Sequence, residues 1–393
     1  MHKRLFYLDN LKTFALLLGV LFHTSIVYAP NIGYAIKSDD TNFFFNIVTH
    51  LIHVFRMPLF FFLSGFFSYM VLNNKGGRIF TFSRIERMFA PMLIGLVFFS
   101  PVQYYLVYNK THSPISFWNY FFLFFSPEEF DFSHIWFLVY LSIYSFLLLI
   151  NYKFQVTKNV FYYSRFYIQS RFAKLNAKSD FFFANYSSLF LFGVLFCFAA
   201  IFITNLFFNK DDSIFRVQPV SFFYYLAFFT TGVVSYKKKL LQNFTLNEQS
   251  SNSNLFYFSI RILLTFTLFI YLNELDPYWM TFQNESKKII LRGVHLLVDT
   301  ILAWSFIFIL LYLFKKYLDN TKHILDYLRN SGMSIYLIHH PISLILANYL
   351  YYAKIPITIK FCLHTFLVYT LSFFFYHFVI KKSFILKRVF GTK

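Results

Sequence analysis

The sequence predicts an all-α, polytopic membrane protein, and three observations carry that expectation. Of 393 residues, 58% are hydrophobic and only 13% charged, too little polar surface to cover a water-soluble globule. Apolar runs of about 20 residues, the length that crosses about 30 Å of hydrocarbon, recur from end to end. Between them the charge alternates: basic segments such as Lys75–Arg87, Lys237–Lys239 and Lys381–Lys393 take turns with acidic ones such as Asp39–Asp40, Glu128–Asp131 and Asp211–Asp212. That alternation is the positive-inside rule repeated along the chain; it predicts about ten spans with both termini cytoplasmic, and a single transmembrane domain over 1–393 with no separate soluble domain.

The ten runs lie near 11–30, 53–72, 88–108, 134–152, 188–208, 219–236, 255–273, 289–314, 334–352 and 359–380. The start, MHKRLFYLDNLKTFALLLGV, is basic and then apolar, but no small-residue cleavage site follows, so it reads as a retained first helix. The longest polar insert, roughly 153–180, is basic and aromatic and reads as an inner loop with an interfacial piece. The Ser/Asn-rich stretch 237–254 reads as a flexible inner loop. The net charge of +19 is explained by inner loops, so no nucleic-acid partner is expected. Cys197 and Cys362 have no CxxC spacing and read as small apolar residues.

What remains are ionisable groups in or beside the spans, each of which needs a reason to be there. Lys12 and His23 are eleven residues apart in the first helix; that spacing returns to within about 20° of one face and separates them by about 16 Å. Asp9 lies one turn before Lys12 on the same stripe. If Lys12 marks the inner edge of the hydrocarbon, His23 lies near the midplane, either as a packed core residue or as a buried general base. The second run opens with HLIHVFRMPLFFFLSGFFSYM, where His50, His53 and Arg56 follow one another at i, i+3 and i+6. With His134 of SHIWFLVYL they read as a polar outer mouth, or, for Arg56 alone, as interfacial snorkelling. Ser64–Gly65 reads as a point of close helix packing or of a local kink.

In SRIERMFAP, Arg84 and Arg87 are either a topology signal or an anion site for phosphates. SGMSIYLIHHPI places His339 and His340 before Pro341; adjacent rings point about 100° apart, so one of the two at most is expected to share a site. With no HExxH, no CxxC pair and no carboxylate cluster, no metal is expected.

The order YLDNLKTFALLLGVLFH, FRMPLFFFLSGFFS, SRIERMFAP, HIWFLVYL and SIYLIHHP, spread over nearly the whole chain, resembles the acyltransferase 3 family of membrane O-acyltransferases. FRMPLFFFLSGFF and HIWFL look most like the glucans biosynthesis protein C branch, which modifies periplasmic glucans with succinyl groups. The resemblance implies a multi-pass enzyme of the bacterial inner membrane, in contact with membrane lipid, that takes an acyl group from cytosolic acyl-CoA to a sugar hydroxyl outside. No permanently bound cofactor is implied; succinyl-CoA or acetyl-CoA is a co-substrate. The family's basic residue and essential histidine fall on Lys12 and His23, with Lys12 standing where arginine is usual, so the bidentate fork is missing. The family's paired arginines fall on Arg84 and Arg87.

The expected division of labour is then as follows. His23 is base or nucleophile, with Asp9 and Lys12 beside it. Lys12, Arg84 and Arg87 hold the CoA phosphates. His53, Arg56, His134, Trp136 and His339 face the acceptor, Arg56 taking the free carboxylate of a succinyl group. A secondary transporter or flippase would show the same hydropathy profile; consumption of acyl-CoA discriminates the two. Acyl group, acceptor polymer and oligomeric state are left open by the sequence.

Overall fold

The computed structural model describes residues 5–162, 186–209, 212–241, 248–279 and 285–392. Most of the basic insert at 153–180 and part of the polar stretch 237–254 lie outside them. Every described element of regular structure is helical: α1 Phe6–Ile26, α2 Phe43–Arg84, α3 Ala90–Ile94, α4 Ser100–Thr111, α5 Phe117–Phe124, α6 Trp136–Tyr162, α7 Tyr186–Phe207, α8 Pro219–Lys237, α9 Glu248–Trp279, α10 Glu285–Tyr317, α11 His323–Tyr351, α12 Ile357–Phe375 and α13 Phe384–Val389. Each of the ten apolar runs falls on helix, although the first stops at Ile26, short of residue 30. Among the described residues, five helical stretches are long and apolar enough to cross a membrane: Phe43–Thr111, Ser133–Gln155, Ser188–Phe207, Ser286–Tyr317 and Ile357–Ile380. The first is 69 residues long and is interrupted at Gly76, whose φ of 76° lies where glycine alone is unstrained.

The chain divides into two compact units. One comprises Met1–Leu8, Met57–Thr81 and Leu141–Asp319. Its core is aromatic: the buried Trp304 ring of α10 lies 5.5 Å from Phe62 of α2 and 5.3 Å from Phe228 of α8. In this unit Gly65 of α2 and Gly232 of α8 bring two backbones together, since a Cβ on Gly65 would strike the Phe229 carbonyl and one on Gly232 the Phe62 carbonyl. Without a hydrophobic driving force between helices in lipid, such close approach is what holds them. The close packing expected at Ser64–Gly65 is therefore present, on the glycine. Cys197 is buried in this unit.

The other unit comprises Asp9–Arg56, Phe82–Tyr140 and Asn320–Lys393. Here α1, α11 and α12 share a core of Val20, Ile335 and Val368. Small polar groups stitch the helices: Thr24 Oγ1 meets Thr365 Oγ1 at 2.9 Å, Ser25 Oγ meets Thr49 Oγ1 at 3.0 Å, and the Tyr369 hydroxyl donates to the Leu17 carbonyl at 2.8 Å. Near the start of α1, Arg329 bridges Asn10 and Asp326. Between α2 and α4 the helix twice widens to π-helix, over Ile85–Phe89 and Gly95–Phe99, a distortion that recurs at functional sites. Cys362 on α12 is exposed.

Candidate functional site

The second unit gathers four imidazoles from three parts of the chain, and local sequence explains how each is aimed. His23 lies in the last turn of α1 and keeps some exposed surface. Beyond α1, residues 27–42 fold back on themselves. The Lys37 ammonium donates to the carbonyls of Ala29, Pro30 and Ile32, the last two at 3.0 and 2.7 Å. Ser38 N–H meets the Val27 carbonyl and Asn42 N–H the Tyr28 carbonyl. This loop carries Tyr34 inward, so that its hydroxyl lies 3.1 Å from His23 Nδ1 and 2.9 Å from His340 Nε2.

His134 is aimed by strain and by a proline. Ser133 sits at φ 50°, a left-handed conformation costly for a residue with a Cβ, held by its N–H to Asp131 at 2.7 Å and its hydroxyl to Gln103 Oε1 at 2.5 Å. Gly95 lets the segment approach, since a Cβ there would strike Ile135 Cδ1. In α11, Pro341 has no N–H to give the carbonyl four residues back, which is that of Leu337. His134 takes up that carbonyl through Nε2 at 3.3 Å. Its Nε2 therefore carries the proton, and Nδ1 accepts from the Gln103 amide at 3.2 Å. The Tyr336 hydroxyl donates to the His134 carbonyl.

His339 turns back on its own helix, Nδ1 donating to the Tyr336 carbonyl at 2.6 Å and the Ile335 carbonyl at 3.1 Å. Its Nε2 is then an acceptor, and it is buried without a partner. That atom faces Gly19, where a Cβ would come within 3.5 Å of it and 2.9 Å of Arg56 Nη1.

The cluster corrects one expectation: both His339 and His340 belong to it. Their centroids lie 5.3 and 4.3 Å from that of His23, and 5.8 and 4.7 Å from that of His134. The 100° between them admits both because His23 and His134 come from different helices and occupy the angle between the two rings. Arg56 is also not at a surface. It is 7% exposed, with its guanidinium carbon 4.7 Å from the Phe22 ring centroid. His53 remains exposed and stacks on the same Phe22 at 5.6 Å. Trp136 is half-buried and packs on Tyr140 at 5.0 Å.

Eleven residues before His23, Lys12 lies within electrostatic reach of Arg84, Asp9 and Arg87. Arg84 is half-buried, with Nη1 3.3 Å from Met88 Sδ; Arg87 is exposed on the π-helical turn. Three cations around one carboxylate leave a net positive charge suited to an anionic group. Among the described residues, no group of three or more His, Cys, Asp and Glu side chains is arranged to hold a metal.

Sequence reasoning missed Tyr34, Gln103, Tyr336 and the role of His340. Pro341, four residues after Leu337, was a legible sign that a carbonyl in α11 would need a donor. Nothing local marked Tyr34, whose place depends on how residues 27–42 turn.

A multi-helix membrane chain with a histidine cluster and a separate cationic patch fits acyl transfer, and comparison with known proteins gives the class. Residues 5–377 match the family model of the acyltransferase domain, and the chain belongs to that family. It is similar to glucans biosynthesis protein C of Salmonella paratyphi B, Salmonella heidelberg and Salmonella agona, in each case 31% identical over 104 residues. Those residues are 26% of this chain and 27% of each relative, so the match spans about a quarter of the relatives' length. No solved structure matches.

Proposed function

We propose that the chain is a membrane O-acyltransferase that moves a succinyl or acetyl group from cytosolic acyl-CoA to hydroxyls of a periplasmic glucan or another surface polysaccharide. It lies in the bacterial inner membrane with about ten spans and both termini cytoplasmic. The relatives named for glucan biosynthesis support the acceptor class, and the basic inner loops support the orientation.

The observation that carries the reading is the pairing, within one unit and along one helix, of a cationic patch at Lys12 with a histidine cluster at His23. Donor and acceptor lie on opposite sides of the bilayer, so one catalytic group must be reached from both. Lys12, Arg84 and Arg87 hold the CoA phosphates. The pantetheine arm spans the roughly 16 Å of helix to His23. His23 takes the proton of the sugar hydroxyl as it attacks the thioester carbon, or accepts the acyl group itself before passing it on. Arg56 binds the distal carboxylate when the group is succinyl, and His53, His134, Trp136 and His339 line the acceptor side.

The test uses purified wild type and His23→Ala in nanodiscs with succinyl-CoA or acetyl-CoA and a glucan acceptor, following free thiol and ester mass on the sugar. Ester formation by the wild type and none by a folded His23→Ala supports the reading. Full activity in His23→Ala places catalysis elsewhere. Absence of acyl-CoA consumption by both proteins favours transport without chemistry.

A further inference from the structure

The Tyr34 hydroxyl has one proton and two imidazole neighbours, His23 Nδ1 at 3.1 Å and His340 Nε2 at 2.9 Å. It can donate to one ring only, so the other ring must donate to it. The proton positions of the two histidines are thereby tied in opposite senses. If His23 carries its proton on Nδ1, Tyr34 donates to His340 Nε2, and His340 carries its proton on Nδ1. If His23 carries its proton on Nε2, every donor in the chain reverses. Only the first arrangement leaves a basic lone pair on His23 Nε2, which makes no hydrogen bond among the described residues.

We propose that Tyr34, anchored by His340, is a positioning residue that decides which nitrogen of His23 is the base. The inference rests on the reading of His23 as the base. In the working arrangement the donors run from His23 Nδ1–H to the Tyr34 oxygen and from the Tyr34 O–H to His340 Nε2. Both dipoles point their negative ends toward the ring that becomes positive, as the third member of a catalytic triad does for its histidine, here without a carboxylate. In this arrangement the His340 Nδ1–H is buried without a partner, a cost that the dipoles beside the positive ring offset.

The step balances without a further reactant. The acceptor O–H bond breaks and its proton goes to His23 Nε2. The oxygen forms the new C–O bond to the thioester carbon, the C–S bond breaks, and the departing thiolate takes the proton from Nε2. Tyr34 and His340 neither gain nor lose a proton over the cycle.

The experiment uses the full-length protein in nanodiscs with succinyl-CoA or acetyl-CoA and the same acceptor, read by thiol release and by 15N spectra of histidine-labelled protein. Tyr34→Phe keeps the ring and removes the hydroxyl. It is expected to lower kcat by about tenfold to a hundredfold, to leave KM for acyl-CoA within about twofold, and to move the His23 15N signals toward a mixture of tautomers. His340→Gln offers Tyr34 an amide oxygen and is expected to retain most activity, whereas His340→Phe matches Tyr34→Phe. Tyr34→Phe with wild-type kcat and unchanged His23 signals, while His23→Ala is inactive, overturns the proposal and leaves the reading of His23 intact. Wild-type activity in His23→Ala overturns that reading itself. If Tyr34→Phe does not fold, the two His340 variants decide: equal activity in Gln and Phe overturns the proposal.

Discussion

The imidazoles of His134 and His340 lie face to face, 4.7 Å between centroids and 10° between planes. His134 is fixed at both nitrogens, by the Leu337 carbonyl and the Gln103 amide. It therefore acts as a rigid wall against which His340 is registered. Gln103 is 2% exposed and also accepts from Ser133. Gln103→Leu removes the donor to a buried ring nitrogen and the acceptor of the half-buried Ser133 hydroxyl, leaving those two only their 3.4 Å contact with each other, and is expected to lower stability by about 1–2 kcal/mol. Thermal unfolding in detergent measures it; an unchanged midpoint would show that Gln103 is dispensable.

Arg56 is buried beside Gly19 and His339, too deep for a snorkelling role. If it meets the carboxylate of a succinyl group, Arg56→Gln lowers kcat/KM for succinyl-CoA by about tenfold to a hundredfold more than for acetyl-CoA, the worth of one charge-assisted hydrogen bond. Paired assays with both donors measure the ratio. Equal losses would assign Arg56 a structural role.

Gly65 and Gly232 allow two helix backbones of the first unit to touch. Because the atoms in the way are carbonyls rather than side-chain ends, no rotamer change relieves Gly65→Ala or Gly232→Ala. Each is expected to destabilise by about 1–3 kcal/mol or more, read as a lower unfolding temperature. Tolerance of both would mean that the helices separate without penalty.

Asp39 supplies a pH dependence outside the membrane. Partial desolvation raises its pKa, but the Asp40 N–H, 3.0 Å away, and the Lys360 ammonium, 3.5 Å away, outweigh it and hold the carboxyl below the usual range. A carboxyl lowered on folding contributes stability that is complete above the unfolded value and lost as pH falls through the folded one. The loss is therefore expected below about pH 4. Lys360 also meets Asp40 at 2.8 Å and is itself 2% exposed, so Asp39→Asn should flatten the acid limb of an unfolding-against-pH curve without abolishing folding. An acid limb identical to wild type would refute the contribution.

The sequence by itself determined the class of architecture and the inventory of chemistry. Helical content follows from run length and from the need to satisfy every backbone group in lipid. The eleven-residue spacing of Lys12 and His23 is fixed by the helical period, and Arg84 with Arg87 by their own turn, so these candidates were legible before any fold. What the tertiary structure decided is which polar groups meet. Arg56 was read as a surface cation because its distance from a basic loop is a one-dimensional measure, whereas its burial depends on Phe22 of another helix. His340 was set aside because one helix cannot aim two adjacent rings at one point; two other helices supply partners in the angle between them. Tyr34 was invisible because its position comes from a loop folded by Lys37 onto three carbonyls, contacts that carry no period. Periodicity fixes what one helix presents, and only packing between helices fixes which hydroxyl stands between which two rings.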